Sequence, residues 1–327
     1  MSAPSRTGGE LRKLENLISF GDSWTDSGRI DSFIKTKGIP PAVGVLVPDN
    51  KRTASGGLAW GQFVAKSTGA KYFNYACSGA TVSNDIVQCY FDLIRQPFPS
   101  VLDYQIPAYQ ADLASGTLFD NRNPNNTLYT LWVGTNDLGE HGMLTDGNAT
   151  GTTLTTFVEG VWTVFDRIYA TGGRHFVLFN LAPLELAPLY KASFINPTKT
   201  ASDPVQVEKK MRQYTSSVNT MFDYGLPFQL LVRERWPGST VAIFDTNTLL
   251  RDIFMEPKKY FEAPADVEGI YNVWDPVTGV DTPSALPLNS FMWYDPVHPS
   301  ERTLEVVASE FVEVVRGKSK YGTFYTS

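Results

Sequence analysis

Ser23, in Gly21-Asp22-Ser23, and the pair Asp295 and His298, in Asp295-Pro296-Val297-His298, supply an alcohol, a carboxylate and an imidazole. A serine hydroxyl is a weak nucleophile until a base takes its proton, and the base serves only when a third group holds it in the correct tautomer. Together these residue types are equipped to attack an ester carbonyl. Ser23 stands near one end of the chain and His298 near the other, which is no obstacle, because such triads are defined by geometry and role. Pro296 and Pro299 keep the residues before them out of the helical region, so acid and base share a stiff extended turn able to present both to one site. The oxyanion formed on attack needs donors fixed in advance. Three are available: the backbone N–H of Ser23, the backbone N–H of Gly79 in Ser78-Gly79-Ala80, where no side chain blocks a substrate, and the amide of Asn136 in Gly134-Thr135-Asn136-Asp137. Taken singly, Gly79 reads as a turn glycine and Asn136 as an Asx turn.

Asp22, beside the nucleophile, reads as a brace of the turn. Of the other histidines, His141 follows the Gly-Thr-Asn-Asp segment closely enough to compete as the base, but no acid beside it is held by prolines. His175 opens an apolar segment and reads as structural. With no HExxH and three scattered histidines, neither a metal nor another cofactor is expected.

Elements that could position these groups are visible in the apolar pattern. Leu17–Phe20, Tyr72–Ala76, Leu128–Val133, Phe176–Asn180 and Val241–Phe244 are short and nearly continuously apolar, as strands covered on both faces should be. Helical spacing marks Leu58–Ala65, Phe157–Tyr169 and Val205–Trp236, and Ser300 is placed to cap a helix with Leu304, Val307, Phe311 and Val314 on one side. Strands alternating with helices predict a doubly wound α/β fold, which gathers ligands at the carboxyl ends of its strands. Ser23, Ser78-Gly79-Ala80, Gly134 to Asp137 and Asn180 to Pro183 all fall there. The intervals 85–127 and 183–290 exceed simple crossovers and are expected to carry lids or binding walls. Residues 1–14 read as an N-terminal extension and 15–327 as one domain.

The chain has 327 residues, 42% hydrophobic, which allows a sizeable core. Its net charge of -6, with basic residues only in short runs such as Lys209-Lys210, argues against nucleic acid as a partner. No stretch is apolar enough to span a membrane, and the first fifteen residues lack the apolar segment of a signal peptide. Cys77 and Cys89 read either as buried thiols or as one disulfide in an oxidising compartment. Asn125-Asn126-Thr127 and Asn148-Ala149-Thr150 match the glycosylation acceptor pattern. The expectation leans towards a secreted protein, with a cytoplasmic one as the alternative.

Phe20-Gly21-Asp22-Ser23, Ser78-Gly79-Ala80, Gly134-Thr135-Asn136-Asp137 and Asp295-Pro296-Val297-His298 resemble, in order, the four sequence blocks of the GDSL, or SGNH, hydrolases. The resemblance implies Ser23 as nucleophile, His298 as base, Asp295 as its orienting acid, and Ser23, Gly79 and Asn136 as oxyanion donors. It also implies a three-layer, flavodoxin-like α/β/α fold with a five-stranded parallel sheet and long loop insertions. Trp24 departs from the leucine of the GDSL name. Phe20 to Gly28 and Trp293 to Ser300 are further similar to fungal acetylesterases of carbohydrate esterase family sixteen, which implies an acetylated sugar as substrate. Trp24, Trp132, Trp293 and Tyr294 flank the motifs, and two of the four rings are expected to touch that sugar, although such rings also serve cores. The alternatives are a lipase, phospholipase or thioesterase of the same fold, for which Phe91–Val101 is the one candidate lid, and a sugar-binding module without turnover.

Overall fold

The computed structural model describes residues 14–193, 203–275 and 278–327, so the expected N-terminal extension lies outside the described residues apart from Leu14. Strands β1 (Asn16–Gly21), β2 (Lys71–Asn74), β3 (Thr127–Trp132), β4 (His175–Phe179), β5 (Thr240–Phe244) and β6 (Gly322–Thr326) form one sheet in the order β6-β5-β4-β3-β1-β2. All neighbours pair in parallel except β6, which runs antiparallel to β5. The five expected strands are therefore present, and β6 is a sixth that the pattern reading did not contain. Every residue of β1, β3 and β5 is buried, which accounts for their unbroken apolar runs.

Helices cover both faces. They are α1 (Arg29–Thr36), α2 (Trp60–Thr68), α3 (Ile106–Ser115), α4 (Leu154–Ala170), α5 (Pro204–Pro227), α6 (Thr246–Met255) and α7 (Glu301–Val315). Residues three apart on a strand face opposite sides, and β4 shows the consequence. Phe179 meets Trp60 of α2 at 4.6 Å and Phe311 of α7 at 5.4 Å, whereas Phe176 meets Phe165 of α4 at 5.3 Å. Ser300 caps α7, accepting the Thr303 N–H at 3.2 Å, an interaction whose loss costs about 1 kcal/mol. The apolar spacing expected up to Trp236 ends earlier as an α-helix: α5 stops at Pro227 and a wider π turn, Phe228–Val232, follows.

Much of the two long intervals is ordinary framework. The first carries an antiparallel hairpin, Tyr90–Phe91 against Gln96–Pro97, and then α3; the second carries α5, β5 and α6. Cys77 and Cys89 are separate buried thiols, which removes the disulfide alternative, and burial pushes both above their usual range. Among the described residues no helix is long and apolar enough to cross a membrane.

Candidate active site

The strand order reverses between β1 and β3, the place where an open α/β sheet leaves a crevice beyond its carboxyl ends. Ser23 follows β1 and Asn136 follows β3, on the helical turn Thr135–Leu138. Gly21 lets these two strand ends close up: a Cβ there would stand 2.1 Å from the Trp132 carbonyl oxygen. Gln105 braces the same glycine, accepting its N–H at 3.0 Å and donating to its carbonyl at 2.8 Å.

Buried carboxylates tie the loops together. Asp22 accepts the Trp24 N–H at 3.0 Å, which braces the nucleophile turn as expected. Asp26 accepts from the N–H groups of Gly28 and Arg29, at 2.8 and 2.7 Å, and from Ser78 N–H at 2.8 Å and its hydroxyl at 3.0 Å. The loop carrying Ser23 is thereby fastened to the loop carrying Gly79. Asp137 accepts the Val82 N–H at 2.9 Å and fastens the Asn136 turn to that second loop. Burial, reinforced by the nearby Asp22 charge, pushes Asp137 up to about 8, and burial alone takes Asp22 up to about 6 against the Trp24 N–H and the His298 charge. Sequence reasoning missed Asp26 and Asp137, whose partners are distant along the chain.

Asp295 holds His298 in place. Its Oδ1 accepts the N–H groups of Val297 and His298 at 2.9 and 2.8 Å, and its Oδ2 meets His298 Nδ1 at 2.7 Å. The other ring nitrogen, Nε2, lies 2.7 Å from Ser23 Oγ. A carboxylate against Nδ1 fixes the tautomer with its proton there, leaving an Nε2 lone pair aimed at the serine hydroxyl. Burial favours the neutral ring, but the Asp295 charge and hydrogen bond, aided by Asp22, outweigh it and raise His298 above its ordinary value. Ser23 is nearly covered, with 6% of its surface exposed. The hydroxyl is thus primed for general-base activation in a partly dry setting.

Donors surround it. The backbone N–H groups of Ser23 and Gly79 have no acceptor among the described residues. Gly79 adopts φ 80°, in the left-handed region that favours glycine, and a Cβ there would sit 2.3 Å from the Phe98 ring. Asn136 donates one amide hydrogen to the Ala80 carbonyl at 2.9 Å, which orients its second. Ser23, Gly79, Asn136 and His298 all line one cleft of about 1090 Å³.

The expected sugar-stacking rings lie elsewhere. Trp24, Trp132 and Trp293 are 1%, 4% and 0% exposed and pack edge to face beneath the site, with Trp24 5.1 Å from Trp132 and 6.3 Å from Trp293. They support the nucleophile turn from below and offer no face to a ligand. Tyr294 stacks on Tyr271 at 6.0 Å and does not line the cleft. The aromatic residues on the cleft wall are instead Tyr90, Phe91, Phe98 and Tyr190. His141 is exposed and also lines the cleft, but it is His298 that contacts Ser23. His175 opens β4 at the end of the sheet away from the site, and burial lowers its pKa.

The family profile of GDSL-like lipases and acylhydrolases matches residues 17–311. An acetylesterase of Hypocrea jecorina is 42% identical over 320 residues, covering 94% of this chain and 91% of that protein. An acetylesterase of Thermothelomyces thermophilus is 26% identical over 309 residues, covering 92% and 88%. Among solved structures, an acetylxylan esterase of Geobacillus stearothermophilus matches with a TM-score of 0.45 and 13% identity, over 94% of this chain and 96% of that one.

Proposed function

The chain belongs to the GDSL-like lipase and acylhydrolase family, and on that premise we propose that it is a serine esterase that removes acetyl groups from carbohydrates through an acyl-enzyme on Ser23. The observation that carries the reading is the continuous chain from Asp295 Oδ2 through His298 to Ser23 Oγ, at 2.7 Å per contact, in a cleft shared with N–H donors that have no acceptor among the described residues. His298 Nε2 takes the Ser23 proton as Oγ attacks the ester carbonyl, and Asp295 stabilises the imidazolium that results. The oxyanion accepts from the Ser23 and Gly79 N–H groups and the Asn136 amide. Collapse expels the alcohol, which receives the proton from His298. Water, activated by the same ring, then releases acetate.

Acetyl specificity is supported by the acetylesterase relative that is 42% identical to this chain over 320 residues. Rates on p-nitrophenyl esters of increasing acyl length test it: the account expects kcat/KM to be greatest at two carbons and to decline with chain length. A preference for long acyl chains would favour the lipase alternative. We propose further that the protein is secreted and glycosylated: Asn125, exposed on the loop before β3, is accessible as an acceptor, and a mobility shift on glycosidase treatment of the natural protein checks this.

A further inference from the structure

The cleft has two chemically different walls. One is the hairpin Tyr90–Phe91 against Gln96–Pro97, whose Phe91 and the adjoining Phe98 stack at 4.5 Å between centroids and 9° between planes. Both rings are half-buried and both line the cleft. Ile94, at the hairpin turn, is buried with Phe33, Cys77 and Ala80 in a small separate core, and Phe98 N–H donates to the Cys89 carbonyl at 2.8 Å. The ring pair is thus held in place before any ligand arrives. The other wall follows the Asn136 turn and presents Glu140, His141 and Thr145.

An acetyl group occupies a small part of about 1090 Å³, so the cleft has room for a large alcohol. Beside Leu189, Tyr190 and Val297, that wall sets polar groups where a fatty chain would have no use for them. A pyranose has a flat C–H face and a rim of hydroxyls, which matches one aromatic wall and one hydrogen-bonding wall. Phe98 also sits directly over Gly79, which places the ring pair beside a proposed oxyanion donor.

We propose that the Phe91–Phe98 pair is the platform on which the sugar bearing the ester lies, with His141 and its neighbours reading the hydroxyls. The proposal rests on the carbohydrate-acetylesterase reading and assigns its specificity to the hairpin, in place of the buried tryptophans.

The test compares kcat/KM on acetylated xylotriose with kcat/KM on ethyl acetate, for the full chain and for Phe91→Ala, Phe91→Tyr and His141→Ala. The ratio should fall at least tenfold in Phe91→Ala, carried by the KM of the sugar ester, and should be restored by Phe91→Tyr. His141→Ala should lower the same ratio. An unchanged ratio in Phe91→Ala, with the parent enzyme active on both esters, overturns the platform and leaves the esterase reading standing. So does a loss in that variant that falls on octanoyl esters instead, because it assigns the ring to the acyl chain. A parent enzyme that cleaves ethyl acetate and ignores acetylated xylotriose overturns the carbohydrate reading and the platform together.

Discussion

Asp295→Asn isolates the role of the acid without disturbing the loop it holds. An asparagine keeps Oδ1, so the N–H groups of Val297 and His298, at 2.9 and 2.8 Å, retain their acceptor. The change falls on Oδ2, which becomes an NH2 facing His298 Nδ1 across the 2.7 Å contact. A donor there forces the neutral ring to carry its proton on Nε2, where it can no longer accept from Ser23 Oγ. Losing a hydrogen bond to a charged group costs about 1.5 to 3 kcal/mol, and the wrong tautomer adds further cost, for a sum of roughly 3 to 5 kcal/mol. At 1.36 kcal/mol per decade this is a fall of about 10² to 10⁴ in kcat. The pH profile carries a second signature. Activity requires neutral His298, so the rate should rise with pH through a pKa above the ordinary histidine value, because Asp295 and Asp22 favour the charged ring more than burial opposes it. Without the Asp295 charge that limb moves to lower pH. Steady-state rates on p-nitrophenyl acetate from pH 4 to 9, with thermal unfolding as a control, measure both. A folded variant within tenfold of the parent rate, or with an unmoved acid limb, would refute the reasoning.

Asn136→Ala removes one proposed oxyanion donor and should lower kcat by about 10² to 10³ with little change in KM; an unchanged kcat on p-nitrophenyl acetate would exclude it from that role. Trp132→Ala empties a site 4% exposed in the core and should cost about 3 to 5 kcal/mol of stability, read as a lowered midpoint in denaturant. A stable variant with a weakened sugar KM would instead return Trp132 to the substrate wall.

The framework was legible because Leu17–Phe20, Leu128–Val133 and Val241–Phe244 are buried on both faces, which writes an unmistakable apolar run. The edge strand β6 was not, since Gly322–Thr326 mixes small, polar and aromatic residues and pairs on one side only. Likewise α1 is too polar to advertise itself, with Arg29, Asp31, Ser32 and Lys35 among its eight residues. In the site, Ser23, Asp295 and His298 could be named because their chemistry is rare in combination, and the structure brings those three within hydrogen-bonding reach. The tryptophans were misplaced for a physical reason. Adjacency to a motif places a ring near the site but says nothing of depth, and large aromatic side chains serve as readily beneath a turn as above it. Asp26 escaped notice because its meaning depends on Ser78, 52 residues away, whose N–H and hydroxyl it accepts.

The central claim is that Ser23 becomes a nucleophile because His298 and Asp295 are aligned behind it. The direct measurement is peptide mapping after brief exposure to a fluorophosphonate, in the parent protein and in His298→Ala. The account predicts a single adduct on the peptide carrying Ser23, formed at least a hundredfold more slowly without the imidazole. Labelling at another serine, or equal labelling in His298→Ala, would contradict it.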